Sequence, residues 1–446
     1  MSAGLAGTRR STGWLVLALV CACQFMVILD ASIVNVALPS IRRDLGFSPA
    51  GLSWVVNGYL LTFAGFMLLG GRAADLFGHR RMLVAGLVVF SASSLAAGLA
   101  TGPEILVAAR LVQGLGAAML APATVAVISV GFAEGPDRAR AFGAWSASGG
   151  VGGMAGAVAG GALTTGLSWR WIFLVNVPIG AALVAVALIA LSRTGSRRRE
   201  PLDVAGAATG TAGLASFVYG VSAGHGGAVV VGLLLIVAFV ALEARAARPM
   251  VPLRLFRIRG VAVGNAMLLL FGAIAIAMWY FTSLLLQNVF GYSALRAGLG
   301  QTPAAVMFVV TARAAAALLP RTGVRGRILA GCVGFVAGFG WLAAGSGGYL
   351  TGVLGPTLLV AAGIGLVFPS LMAAATADAA GGDAGTVGGL ASTASQVGGS
   401  VGLAVLTAVA GGSSYGRVFL VAAGIGVALA AASVLLPGRR GEGFSG

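Results

Sequence analysis

Leu29-Asp30-Ala31-Ser32-Ile33-Val34-Asn35-Val36-Ala37-Leu38-Pro39 lies inside the first long apolar stretch of the chain, which begins near Trp14. About 20 apolar residues suffice to cross a bilayer, so this stretch reads as a membrane span. Asp30 is then a carboxylate within a span, at a cost of roughly 2.5–3.5 kcal/mol at the helix centre. The uses that offset such a cost are proton relay, ion coupling and binding of a cationic solute. The stretch is too long for a signal peptide, carries Asp30 and ends without a cleavage-like site, so it is expected to remain as an uncleaved first span.

Composition extends this reading to the whole chain. Of 446 residues 58% are hydrophobic and only 9% charged, against about 25% charged in soluble domains, and the mean hydropathy is +0.99. The 72 glycines suit close helix packing in lipid, where backbones must approach because no hydrophobic force drives helices together. The formal charge of +16 is not a nucleic-acid footprint: all 28 basic residues are Arg, and most fall in short breaks between apolar runs. Without Lys there is no Walker A loop to cradle a nucleotide. Cys21, Cys23 and Cys332 lie in apolar runs without a second ligand pair, so neither metal nor disulfide is expected, and no motif calls for a cofactor.

Breaks at Arg, Pro and Gly clusters leave fourteen candidate spans, near 14–38, 52–71, 82–101, 104–128, 139–163, 171–191, 203–223, 227–243, 260–286, 297–319, 327–346, 350–372, 385–410 and 416–437. Placing Arg9 and Arg10 in the cytoplasm puts 22 of the 28 Arg on that side. Only Arg42, Arg43, Arg170, Arg296 and Arg417 fall on the other, and Arg110 stays within a span. The positive-inside bias therefore predicts both termini in the cytoplasm. Gly78-His79-Arg80-Arg81-Met82-Leu83-Val84-Ala85-Gly86 is weakly repeated as Gly323-Val324-Arg325-Gly326-Arg327-Ile328-Leu329-Ala330-Gly331, on the same side, as parallel halves require. The expected organisation is a six-helix half over 1–191, a linker with two extra spans over 192–259, and a second six-helix half over 260–446.

Four stretches carry a family resemblance. They are Leu29 to Ile41; Gly71-Arg72-Ala73-Ala74-Asp75-Leu76-Phe77-Gly78-His79-Arg80-Arg81; Arg110-Leu111-Val112-Gln113-Gly114-Leu115-Gly116-Ala117-Ala118; and Ser168-Trp169-Arg170-Trp171-Ile172-Phe173-Leu174-Val175-Asn176-Val177-Pro178-Ile179-Gly180. With them the chain resembles the major facilitator superfamily, specifically its fourteen-spanner drug–proton antiporters, over essentially its whole length. The resemblance implies an all-α polytopic fold of two parallel six-helix halves plus two extra central helices. It implies a proton-coupled efflux transporter of hydrophobic or amphipathic small molecules, working by alternating access in a bacterial plasma membrane. Its partners would be the small-molecule substrate, protons and the bilayer, with no nucleic acid, and it would act as a monomer. An uncoupled facilitator or importer of the same fold is the alternative.

Asp30 lies about 13 Å below the outer end of its span if that span ends at Pro39, and Arg110 about 9 Å below the outer end of its own, taken from Glu104. The levels roughly agree, so a direct or water-bridged pair is expected, serving either proton coupling or static packing. A neighbouring cation favours an ionised carboxylate and desolvation a protonated one, and a group balanced between them can switch. The resemblance makes Gly71, Asp75, Gly78, Arg80 and Arg81 an inner gate, though Leu76 and His79 stand where relatives commonly carry a basic residue. Gly152, Gly156 and Gly160 form a spacing-four packing ladder; a Gly-Pro pair is typical of the antiporters here, whereas this chain has Gly156-Ala157. Asn35, Asn57, Gln113 and Gln396 are candidates to line a substrate cavity, and Trp145, Trp279 and Tyr280 offer aromatic faces. An intramembrane enzyme would need clustered His or paired carboxylates in the spans, and Asp30 alone lies deep.

Overall fold

A computed structural model describes residues 3–132, 136–191, 203–246, 249, 251–317, 323–345, 347–376, 384–411 and 415–436. The described residues are helical apart from short connections. The long helices are α1 (Ala3–Leu45), α2 (Trp54–Phe77), α3 (His79–Gly98), α4 (Pro103–Gly131), α5 (Pro136–Gly166), α6 (Asn176–Ala190), α7 (Val204–Ala223), α8 (Gly226–Arg245), α9 (Arg259–Ile276), α10 (Ala294–Ala317), α11 (Val324–Ala344), α12 (Gly355–Thr376), α13 (Ala384–Ala410) and α14 (Tyr415–Ala432). Eleven helical segments among the described residues are long and apolar enough to cross a membrane; α5, α7 and α10 are not among them. Fourteen long helices are thus present among the described residues, consistent with fourteen crossings, but length and composition by themselves assign eleven.

Two compact units divide the chain, one of 1–239 with 283–302, the other of 240–282 with 303–446. In the first, α1 packs along α5 and also meets α4 and α6, while α4 packs between α2 and α3. Small residues set these contacts. A Cβ on Gly152 would lie 2.7 Å from the Phe25 carbonyl oxygen, one on Gly156 2.7 Å from Ser32 Cβ, and one on Gly160 2.7 Å from the Ile33 carbonyl oxygen. The expected ladder therefore faces α1, and Ser32 Oγ donates to the Gly153 carbonyl across the same seam at 2.7 Å. No Pro interrupts α5 at Ala157.

Helix α1 does not end at Pro39, as the depth estimate assumed, but runs on to Leu45. Proline has no N–H to offer the carbonyl four residues earlier, here that of Asn35. A donor from elsewhere fills the place: Ser283 Oγ donates to the Asn35 carbonyl at 2.9 Å, and Gln287 Nε2 to that of Val36 at 2.9 Å. Both donors belong to the segment Thr282–Asn288, which continues α9 beyond a π-helical turn at Ala277–Phe281. With its orphaned carbonyl satisfied, the helix passes the proline.

In the second unit α9 packs on α13 and α12, and α11 on α12 and α14. Glycines again permit the approach, with Gly272 against Ser395 and Gly398 against Leu269. Gly78 and Gly323, the first residues of the two repeated stretches, each stand at the N-terminal boundary of a helix, α3 and α11 respectively. Gly78 adopts φ 91°, a left-handed backbone that a side chain would strain, so the turn between α2 and α3 requires it.

Candidate functional site

The first unit buries a cluster of polar side chains drawn from four helices. Asp30 on α1, Arg110 and Gln113 on α4, Ser94 on α3 and Asn176 on α6 are each at most 1% exposed. Arg110 Nη1 donates to Asp30 Oδ2 at 2.6 Å and to Gln113 Oε1 at 2.7 Å. Arg110 Nε donates to the Val55 carbonyl of α2, a fifth helix, at 2.9 Å. Asp30 Oδ1 accepts from Gln113 Nε2 at 2.8 Å and from Asn176 Nδ2 at 2.9 Å. Ser94 Oγ accepts from the same two amides, at 2.6 Å and 3.4 Å. The Tyr59 ring lies 4.4 Å from the guanidinium carbon, and the Phe173 ring 5.7 Å.

Local sequence explains these placements. Arg110 and Gln113 are three apart on α4, so they share a face and meet the same carboxylate. Asn176 opens α6 immediately after the short helical turn Trp171–Leu174. The flanking residues Gly114 and Gly116 let α4 close on its neighbours: a Cβ at Gly114 would press on the Tyr59 carbonyl oxygen, and one at Gly116 would lie 2.7 Å from the Phe90 nitrogen. A guanidinium remains charged in any protein setting. The cluster therefore holds a permanent cation beside a carboxylate, away from water. Neutralising that carboxylate alters bonds to α4 and α6 together.

The structure brings Asp30 and Arg110 together directly. Gln113, expected along a cavity, instead commits both ends of its amide within this cluster. Asn35 and Asn57 are buried on α1 and α2, and the Asn35 Oδ1 has no hydrogen-bond partner among the described residues. Gln396 is half-buried on α13 in the other unit. Trp145 donates to Thr124 Oγ1 at 3.2 Å, so its indole edge is engaged. Of the expected gate, Gly71 sits beside Pro122, Arg80 Nη2 donates to the Leu188 carbonyl at 2.9 Å near the end of α6, and Arg81 is exposed. The side chain of Asp75 lies outside the described residues.

Sequence reasoning singled out neither Asn176 nor Ser94 as a member of the site. Asn176 carried a signal, an amide just before Pro178 in an otherwise apolar entry to a span. Ser94 carried none, since Ser91, Ser93 and Ser94 stand together and spacing alone does not say which turns inward. A second cluster forms near Leu45: Arg170 Nη1 donates to Asp44 Oδ2 at 2.6 Å, Trp169 Nε1 to the same oxygen at 2.9 Å, and Arg170 Nη2 to the Ala100 carbonyl at 3.0 Å. It ties the ends of α1 and α3 to the turn before α6 through Trp169 and Arg170.

Comparison with known proteins gives a consistent picture. Residues 20–403 match the model of the Major Facilitator Superfamily. The chain is 45% identical to the cephamycin export protein CmcT of Amycolatopsis lactamdurans, over 96% of this chain and 93% of that one. It is 37% identical to the puromycin resistance protein pur8 of Streptomyces alboniger, over 90% and 82% of the two chains. It is 34% identical to the lincomycin resistance protein of Streptomyces lincolnensis, over 97% and 93%. In three dimensions it superposes on the crystal structure of a point mutant of the nucleoside transporter NupG with a TM-score of 0.69, covering 94% of this chain and 99% of that one. At 15% identity this last likeness speaks to fold alone.

Proposed function

The chain belongs to the Major Facilitator Superfamily, and from that premise we propose that it is a proton-coupled exporter of antibiotic-like small molecules working by alternating access. The observation that carries the reading is the buried Asp30–Arg110 pair, 2.6 Å apart and closed off by Gln113, Asn176 and Ser94. A carboxylate held this far from water is costly, and its retention points to a use for its charge. Proton entry supplies the drive, at about 2.3 kcal/mol per charge for each 100 mV of membrane potential. In this reading a proton taken up by Asp30 cancels its attraction to Arg110. The guanidinium keeps its hold on Val55 and Gln113, so the loosened contact is the one between α1 and α4. The names of relatives that export cephamycin or confer resistance to puromycin and lincomycin support an antibiotic cargo.

The same reading places both termini in the cytoplasm of a bacterial cell, the protein in the plasma membrane as a monomer, and two six-helix halves around the two inserted spans. Asp75 with Gly71, Gly78, Arg80 and Arg81 would hold the inner side closed. The uncoupled facilitator has one observation in its favour, the Pro-free course of α5 at Gly156-Ala157.

Proteoliposomes with an imposed pH gradient test the proposal, with puromycin, lincomycin and a cephamycin as cargo. Uphill, gradient-dependent accumulation by the wild type, lost in Asp30→Asn and partly kept in Asp30→Glu, is expected. Uphill transport by Asp30→Asn at the wild-type rate would refute Asp30 as the proton carrier. Downhill transport indifferent to pH would establish the facilitator.

A further inference from the structure

Every hydrogen bond to the Asp30 carboxylate among the described residues comes from a donor: Arg110 Nη1 on Oδ2, Gln113 Nε2 and Asn176 Nδ2 on Oδ1. That arrangement suits a carboxylate, which only accepts. It does not suit a carboxylic acid, whose O–H must donate. A proton arriving on Oδ1 meets two N–H groups and no acceptor, and a buried donor without an acceptor is unfavourable. Ser94 Oγ offers little relief, because the two amides already occupy both of its acceptor positions.

The two amides differ in one respect. Gln113 is locked, because its Oε1 accepts from Arg110 at 2.7 Å and reversing it would turn an NH2 group toward the guanidinium. Asn176 is not locked: its Oδ1 is buried and has no hydrogen-bond partner among the described residues. A half-turn about the Cβ–Cγ bond exchanges Oδ1 and Nδ2, and this terminal torsion has broad, roughly two-fold preferences. The exchange puts an acceptor where Nδ2 now stands, 2.9 Å from Asp30 Oδ1. It gives up the long contact to Ser94, at 3.4 Å.

We infer that the Asn176 amide is a positioning group that follows the protonation of Asp30, donating through Nδ2 to the carboxylate and, after a half-turn, accepting through Oδ1 from the carboxylic acid. The inference rests on the reading of Asp30 as proton carrier. The step balances simply: one proton joins Asp30 Oδ1, the N–H to Oδ1 hydrogen bond breaks, and an O–H to Asn176 Oδ1 hydrogen bond forms. The charged and titratable groups around Asp30 are Arg110 on α4 and Tyr59 on α2. Helices α3 and α6 contribute the neutral Ser94 and Asn176, and α5 meets α1 through glycine. Because Asn176 is the first residue of α6, its turn carries the proton event from α1 into that helix.

Infrared difference spectra of the full-length protein in lipid, taken between neutral and acid pH, test this without any cargo. Asp30→Asn identifies the carboxylic-acid C=O band of Asp30 by removing it. In Asn176→Leu that band should move to higher frequency, because the acid O–H has lost its acceptor. Asn176→Ser, whose hydroxyl both donates and accepts, should return it toward the wild-type position. Asn176→Ala carries the same test if the leucine disturbs insertion. A band unmoved in the Leu and Ala variants overturns the inference, since a merely structural asparagine predicts that result. If Asp30→Asn removes no acid band, Asp30 is not the carrier, and the inference falls with that reading by a separately visible route.

Discussion

Arg110 makes every kind of contact a guanidinium can make in one buried place: an ion pair, a hydrogen bond to a carbonyl, a hydrogen bond to an amide and a face on an aromatic ring. Removing one member of a buried pair typically costs about 3–5 kcal/mol, because the other is left charged and alone. Arg110→Ala is therefore expected to abolish gradient-driven transport and to lower the melting temperature in detergent. Arg110→Lys keeps the charge but lacks the planar fork that reaches Val55, Asp30 and Gln113 at once. It should be impaired, with the milder loss. Flux assays and melting curves on both variants check this, and unimpaired transport by both would remove Arg110 from the mechanism. At this scale the charged members of the site were legible, because a charge in an apolar run has few explanations. Gln113 was legible as a polar residue but not as to its role. Its spacing from Arg110 put them on one face, and only the packing of α1 and α3 showed which neighbours that face meets.

At the scale of elements, Pro39 and Ser283 are the instructive pair. They are far apart in sequence, and nothing in either stretch links them. The proline removes the donor that the Asn35 carbonyl would use, and Ser283 replaces it at 2.9 Å. Ser283→Ala should cost about 1–3 kcal/mol, the range for leaving a buried acceptor unsatisfied. Pro39→Ala restores the backbone N–H, so Ser283→Ala should cost much less in that background. Thermal denaturation around this double-mutant cycle measures the difference, and strictly additive effects would show that the two do not act on one carbonyl. The α1–α5 seam gives a simpler expectation. A side chain at Gly156 meets Ser32 Cβ and the Leu29 carbonyl within 3 Å, and backbone cannot yield as a flexible side chain does. Gly156→Val should destabilise by about 1–3 kcal/mol, as overpacking does, read as a lowered melting temperature. The glycine ladder was visible as spacing; that it faces α1 was not, because spacing defines a stripe and not the helix it meets.

The whole molecule carries its apolar surface outward. Val130, Ile189, Leu234 and Val237 are each more than 60% exposed, which in water would be a standing invitation to aggregate and in a bilayer is the proper face toward lipid. The Arg bias makes the orientation a prediction that can be measured. In a background with Cys21, Cys23 and Cys332 replaced, single cysteines at Arg9 and Arg199 should react with a membrane-impermeant thiol reagent only after the cytoplasmic side is opened. One at Arg43 should react in intact cells. The opposite pattern would invert the topology.

Composition and hydropathy alone determined that this is a polytopic helical membrane protein and which of its residues carry costly charge within a span. These properties are local: hydropathy sums along the chain, and a carboxylate in an apolar run is costly whatever surrounds it. The partners of that charge were decided by tertiary structure. Asn176 reaches Asp30 across 146 positions and Ser283 reaches Asn35 across 248. A hydrogen bond depends on a few tenths of an ångström and on which face of each helix turns inward. Both are set by helices packed through their glycines, and no single stretch of sequence contains them.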